Sequence, residues 1–203
     1  RFRQPGGTAM AAVDATLEGG ALLFGNAFID LPDAPVELRV DAMRDGPGAA
    51  WSLPRFEWHD APALVGRGSA EFSVDGSLRG LELELESDDA SLLPARYLSG
   101  WLALAAMDGL HMRGGLDARA VVRDGALREG RLSVRGLDLR GQDDRFRFLG
   151  LGGEVVLASA EPAESALGWR AGAVGDIVFG PALLPLQSSG GELRLGEPVG
   201  VDL

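Results

Sequence analysis

The 203-residue chain has no cysteine, and that one absence removes disulfides, thiolate metal sites and thiol nucleophiles together. Lysine is missing too, so the 19 basic residues other than histidine are all arginine, set against 30 acidic ones for a net charge of −11. The arginines stand singly along the chain. Sequence-independent nucleic-acid binding needs a concentrated basic surface, so no nucleic-acid partner is expected. No apolar run approaches the roughly 20 residues that cross a bilayer as a helix. The 30 glycines follow no three-residue period, which excludes a collagen-like chain.

What the chain does have in quantity is alternation. Its clearest stretch, Leu110 to Leu157, reads LHMRGGLDARAVVRDGALREGRLSVRGLDLRGQDDRFRFLGLGGEVVL. Leu116, Ala118, Ala120 and Val122 alternate with Asp117, Arg119, Val121 and Arg123, the period of a strand with one dry and one wet face. Asp124-Gly125 supplies the positive φ angles of a tight hairpin, and Leu132 with Val134 resumes the alternation on the return strand. At Gly136 the apolar positions pass from even to odd numbers, continuing as Leu137 and Leu139. One inserted residue, a β-bulge, does this to a pleat. Arg145 to Leu149 and Gly153 to Leu157 read as two more short strands separated by glycines. A similar succession precedes them: Ala70, Phe72 and Val74, an Asp75-Gly76 turn, Leu78, then Leu81, Leu83 and Leu85 with the parity reversed at Gly80. The repetition predicts a mainly β architecture of repeated antiparallel hairpins. A lone hairpin cannot bury its own apolar face, so neighbours or a ligand must cover it.

Elsewhere, Arg1 to Thr8 is a polar, Gly/Pro-rich lead expected to be flexible. Val13, Ala15 and Leu17 are expected to form a hairpin with the apolar run Ala21 to Ile29. Val36, Leu38, Val40 and Ala42 make another one-sided strand, and Trp51, Leu53, Phe56 and Trp58 carry aromatic area on either side of Pro54. Ser91 to Met107 breaks the strand period. Ser91 as cap, Pro94 in the first turn, and Leu98, Trp101, Leu102 and Ala105 on one face predict one short helix near residues 92–107. This insertion is expected to cover one end of the sheet, the alternative being a membrane-surface or partner-binding helix. The last forty residues read as strand and loop, ending with Val199 to Leu203. Residues 1–203 are thus expected to form a single β-rich domain. Because the chain opens on Arg1 and stops inside a strand-like run, it is expected to be a fragment of a larger protein.

Chemistry has no evident carrier. His59 and His111 lie outside any spaced metal-binding arrangement, and a hydrolytic reading would need one of them beside acidic residues in a cleft. Asp88-Asp89 and Asp143-Asp144 lack the spacing of calcium ligands and read as solvated turns. Gly150, Gly152 and Gly153 are followed by no helix or P-loop lysine, and Ser188 and Ser189 have no GxSxG context. No catalytic residue, metal or cofactor is expected. Apolar strand face, by contrast, is in surplus. A five- or six-residue strand is about 17–20 Å long, close to the roughly 15 Å of half a bilayer's hydrocarbon. Each methylene removed from water contributes about 0.8 kcal/mol, so one lipid chain would gain on the order of 10 kcal/mol before ordering costs. The plainer alternative is an ordinary sandwich core.

The succession ALLFGNAFIDLPDAPVELRVDA, SLLPARYLSGWLALAAMDGLHMRGGLDARAVVRDGALREGRLSVRGLDL, DDRFRFLGLGGEVVL and WRAGAVGDIVFGPALLPLQSSGGELRL resembles segments of large exported proteobacterial proteins. It is similar to the AsmA-like superfamily, and within it most like the YdbH-type proteins. The resemblance implies a curved, U-shaped sheet whose apolar groove conducts phospholipid across the periplasm, with an inner-membrane anchor outside this stretch and the outer membrane as destination. It implies no catalytic residue. The groove lining it implies is the alternating apolar set, with Leu83, Leu85, Val122, Val134, Leu137, Leu139 and Phe148 as the expected ligand contacts. A phospholipid or other acyl-chain lipid is then the expected partner, with an envelope protein also possible. The alternative function is a structural or assembly module of the cell envelope acting through sheet-edge contacts with another protein.

Overall fold

The structure is a computed structural model and describes residues 2–3, 7–24, 27–107, 109–158 and 161–196. Sixteen strands run in chain order: β1 (Phe2–Arg3), β2 (Thr8–Leu17), β3 (Ala21–Phe24), β4 (Ala27–Asp30), β5 (Val36–Asp45), β6 (Ser52–Asp60), β7 (Leu64–Phe72), β8 (Leu78–Ser87), β9 (His111–Arg123), β10 (Ala126–Arg140), β11 (Phe146–Ala158), β12 (Ala163–Trp169), β13 (Ala171–Val174), β14 (Ile177–Phe179), β15 (Ala182–Ser189) and β16 (Glu192–Leu195). Fourteen of them form one curved antiparallel sheet that does not close. Its path is β1-β2-β5-β6-β7-β8-β9-β10-β11-β12-β15-β16, so the chain crosses the sheet steadily from one edge to the other. The expected mainly β, hairpin-built sheet is the observed one.

Short turns set this path. Asp124 and Gly125 both take positive φ, and Arg123 pairs with Ala126 across the two-residue turn, the geometry whose twist matches that of the flanking strands. At Asp75-Gly76 only the glycine has positive φ, and the loop is longer, with the Asp75 carboxylate accepting from the Ser77 N–H and hydroxyl. Both parity reversals are bulges. The register slips between Glu71 and Phe72 opposite Gly80, and again around Gly136, whose φ is +59°. Phe146–Ala158 is one strand, not two. It bends at Gly150 and Gly153 and changes partner there, pairing β13 with its first half and β12 with its second.

The expected pairing of Val13–Leu17 with the following run is corrected: β2 pairs with β5, and Ala21–Phe24 folds back on Ala27–Asp30 as a separate two-stranded sheet. A ten-residue strand opposite another of equal length satisfies far more backbone than a four-residue partner can. Of the expected flexible lead, residues 1 and 4–6 lie outside the described residues, and Phe2–Arg3 pairs with β2. The expected final strand, Val199 to Leu203, also lies outside them.

The helical insertion is broken where one helix was expected. A 3-10 turn (Ala90–Leu92) leads into α1 (Leu93–Arg96) and then α2 (Ser99–Leu104). Its cap is Asp89, whose carboxylate accepts from the Ser91 N–H at 3.0 Å, in place of the expected Ser91. Between the helices the Leu98 N–H reaches back to the Leu93 carbonyl, which turns the second helix out of line with the first. Leu98 therefore packs inward while Trp101 is 54% exposed.

Candidate functional site

Cross-strand register sorts the side chains onto two faces. One row runs Val13, Val40, Phe56, Gly68, Leu83, Ala120, Gly130 and Leu157 across eight strands. The next runs Ala15, Leu38, Trp58, Gly66, Leu85, Ala118, Leu132 and Val155. Neither row contains a charge. On the opposite face Asp14, Arg39, Glu57, Arg67, Glu84 and Arg119 stand in register and alternate in sign across six strands. Arg39 meets Asp14 at 2.7 Å, and Glu84 takes Arg67 at 2.7 Å and Arg119 at 3.1 Å. Both guanidiniums hold the Glu84 carboxyl below its ordinary pKa, Arg67 most strongly through its hydrogen bond. A one-residue slip of any strand would carry charges onto the apolar face, so the two patterns specify the same register.

The two ends of the apolar face differ. At the end where β2, β6, β8 and β10 finish, the insertion lies across it. Ala90 and Leu93 are buried there against Val134, Leu137 and Leu151, with Tyr97, Leu98, Met112, Leu116, Leu139 and Phe148 packed around them. The β3–β4 hairpin projects from the same end, and its β4 strand touches both short helices. A polar latch fixes this cap. Arg96 Nη1 donates to the Asp60 carboxylate at 2.7 and 2.9 Å, and the Tyr97 hydroxyl donates to Asp60 Oδ2 at 2.7 Å. Trp58 Nε1 completes the chain by donating to the Tyr97 oxygen at 2.8 Å. Burial, and then the bond to Asp60, push the Tyr97 pKa up. Asp60 is 4% exposed, and removing one partner of a buried pair costs on the order of 3–5 kcal/mol.

Beyond the cap the prominent contacts of β2, β5, β7 and β8 are with their in-plane neighbours, and Val13 and Leu132 stay 49% and 40% exposed, whereas Val36 and Ala70 on the same face are buried. The seven expected lining residues divide accordingly. Leu83, Leu85 and Val122 line the open part, half-buried by their in-plane neighbours. Val134 and Leu137, only 9% and 4% exposed, belong to the packed interior beneath the cap, with Leu139 and Phe148 against them. The insertion thus packs into the cluster that holds these four. Val13, Leu38, Val40, Phe56 and Trp58 stand in the same rows and are absent from the expected set. Their signal was the alternation of their own strands together with Gly66 and Gly68 at the matching positions.

Cavities of about 560, 330 and 260 Å³ are lined by residues that include Arg39, Arg67, Arg119 and Arg131, together with members of the apolar rows such as Leu38, Leu83 and Leu85. Each of these guanidiniums already holds a carboxylate. His59 stands opposite Glu37 and Val65, and His111 opposite Arg140, on strands separated by β7 and β8. Among the described residues no three His, Asp or Glu side chains could hold a metal ion, and no helix is long and apolar enough to cross a membrane. Comparison with protein-family models, curated proteins and solved structures finds no match.

Proposed function

We propose that the chain is a non-catalytic lipid-holding section of a larger periplasmic structure, with phospholipid acyl chains lying along the open apolar face. One observation carries the reading: two uncharged rows run side by side across eight strands, and Val13 and Leu132 within them stay exposed. A sheet face of this kind must be covered by something apolar. Acyl chains suit it because the two rows are long, continuous and, apart from the Trp58 indole already bonded to Tyr97, without hydrogen-bonding side chains, so they offer area and little polar recognition. The AsmA-like resemblance of the sequence supports the same occupant, and with it a location between inner and outer membrane, anchored to the inner one by a part of the protein outside this chain.

The test is to purify the chain from bacteria and analyse it by native mass spectrometry and lipid extraction. Phospholipid is expected in near-stoichiometric amount. Leu83→Asp and Leu85→Asp, each placing a charge in the apolar rows, are expected to reduce it severalfold, and Glu84→Gln on the charged side to leave it unchanged. Lipid-free wild-type protein would overturn the reading. A second reading, an envelope assembly module, is favoured by β14, an edge strand on which Ile177 and Val178 are exposed. Edge strands like this recruit partner chains by strand addition.

A further inference from the structure

We propose that the insertion, residues 90–107, is a latched end-cap that opens as a unit, and that Asp60 is its latch post. The inference rests on the lipid reading only for what enters when the cap opens. Three observations support it. The cap's helices have four and six residues, too short to be stable alone, so packing and the latch must hold them in place. Their packing is partial: Ala90, Leu93, Tyr97 and Leu98 join the core cluster against the sheet and both helices touch β4, whereas Trp101 and Leu104 stay exposed. The polar anchor between cap and sheet is one small network centred on the Asp60 carboxylate, which receives both Arg96 and Tyr97, with Trp58 donating to the Tyr97 oxygen.

What the cap covers is apolar. Beneath it Leu116 and Val134 continue the uncharged surface as direct cross-strand partners, and Met112, Leu139 and Phe148 extend it towards the strand ends. Lifting the cap would thus join the open rows to the covered ones and lengthen the apolar path to the end of the sheet. In the closed state the path is blind at that end. A segment of low local stability lying across a stronger sheet is the element expected to move first.

Amide hydrogen exchange on the wild-type chain tests the first half. The Tyr97, Leu98, Leu102 and Ala105 amides, bonded within the insertion, are expected to exchange by a local opening, about tenfold or more faster than amides of β8 to β10. Exchange of both sets at one common rate would overturn the proposal. Asp60→Asn and Arg96→Met test the latch. Each is expected to speed the cap amides selectively, leaving the sheet amides unchanged, while Arg39→Met on the charged face does neither. No selective change in either variant would overturn the latch.

The same proteins are then titrated with saturated fatty acids from lauric to stearic acid. In the wild type, affinity is expected to stop rising once the chain meets the cap, and in the latch variants to keep rising with length. An identical length profile would count against an opening that extends the path. If no form binds any fatty acid but the cap amides respond as stated, the latch stands and the lipid reading falls.

Discussion

Gly68 shows how closely single positions are tied to the sheet. Its backbone sits where an added Cβ would lie 2.7 Å from the Phe56 ring and 2.1 Å from the Glu82 carbonyl oxygen. Phe56 thus lies over a glycine on the neighbouring strand, covering backbone that would otherwise face outward. Gly68→Ala must push β7 and β8 apart or drive the ring out of its place, at a cost of about 1–3 kcal/mol. Thermal unfolding is expected to show a midpoint several degrees lower, whereas Gly76→Ala at the exposed turn meets no neighbouring atom and is penalised only by its φ of +84°. An unchanged midpoint for Gly68→Ala would mean that the ring does not rest there. The glycines were also where single residues were most legible. The bulge at Gly136 could be read from the shift of leucines between even and odd positions, since a pleat admits no other way to keep one face dry. The latch could not. Asp60 shares the parity of Phe56 and Trp58, which puts it on the dry face, but its partner Arg96 is 36 residues away and nothing local names it.

Among the elements, the strands were readable and their partners less so. Alternation says which face of a strand is dry but not which strand lies beside it, and the adjacent run Ala21 to Ile29 drew β2 towards a hairpin that β5 in fact completes. The insertion was recognisable by its loss of strand period, yet its packing against Val134 and Leu137 is something local sequence does not record. Its attachment gives a pH prediction. Tyr97 is raised above the ordinary phenol value by burial and by donating to Asp60, and an unfolded tyrosine ionises near pH 10. Below about pH 10 both states keep the proton and the contribution is complete. Above it the unfolded chain releases the proton while the folded one retains it, so stability falls as pH rises. Denaturant unfolding from neutral pH upward should therefore show an alkaline decline that Tyr97→Phe reduces. An equal decline in both proteins would place the effect elsewhere.

Among the described residues the main sheet has a charged side satisfied by its own alternating pairs and an apolar side covered by the insertion at one end. Exposed pairs of this kind contribute little stability individually, but in register they exclude slipped alternatives that would turn arginine and glutamate inward. The exposed part of the apolar face is thereby kept towards solvent, a costly arrangement for a protein alone and a suitable one for a protein with an apolar cover. The difference between its ends predicts where that cover lies. Trp58 stands in an apolar row at the margin of the cap, whereas Trp169 packs with Phe148 and Phe179, at ring separations of 5.5 and 5.9 Å, beside the covered cluster. Fatty acids brominated along the chain quench indole fluorescence on contact. In variants retaining one tryptophan each, Trp58 is expected to be quenched strongly and Trp169 weakly, and Asp60→Asn is expected to raise the Trp169 signal change by exposing the surface beside it. Equal quenching of both indoles in the latched protein would mean that acyl chains already pass beneath the insertion. Quenching of neither would place the apolar cover with another protein chain, the outcome that the exposed β14 edge favours.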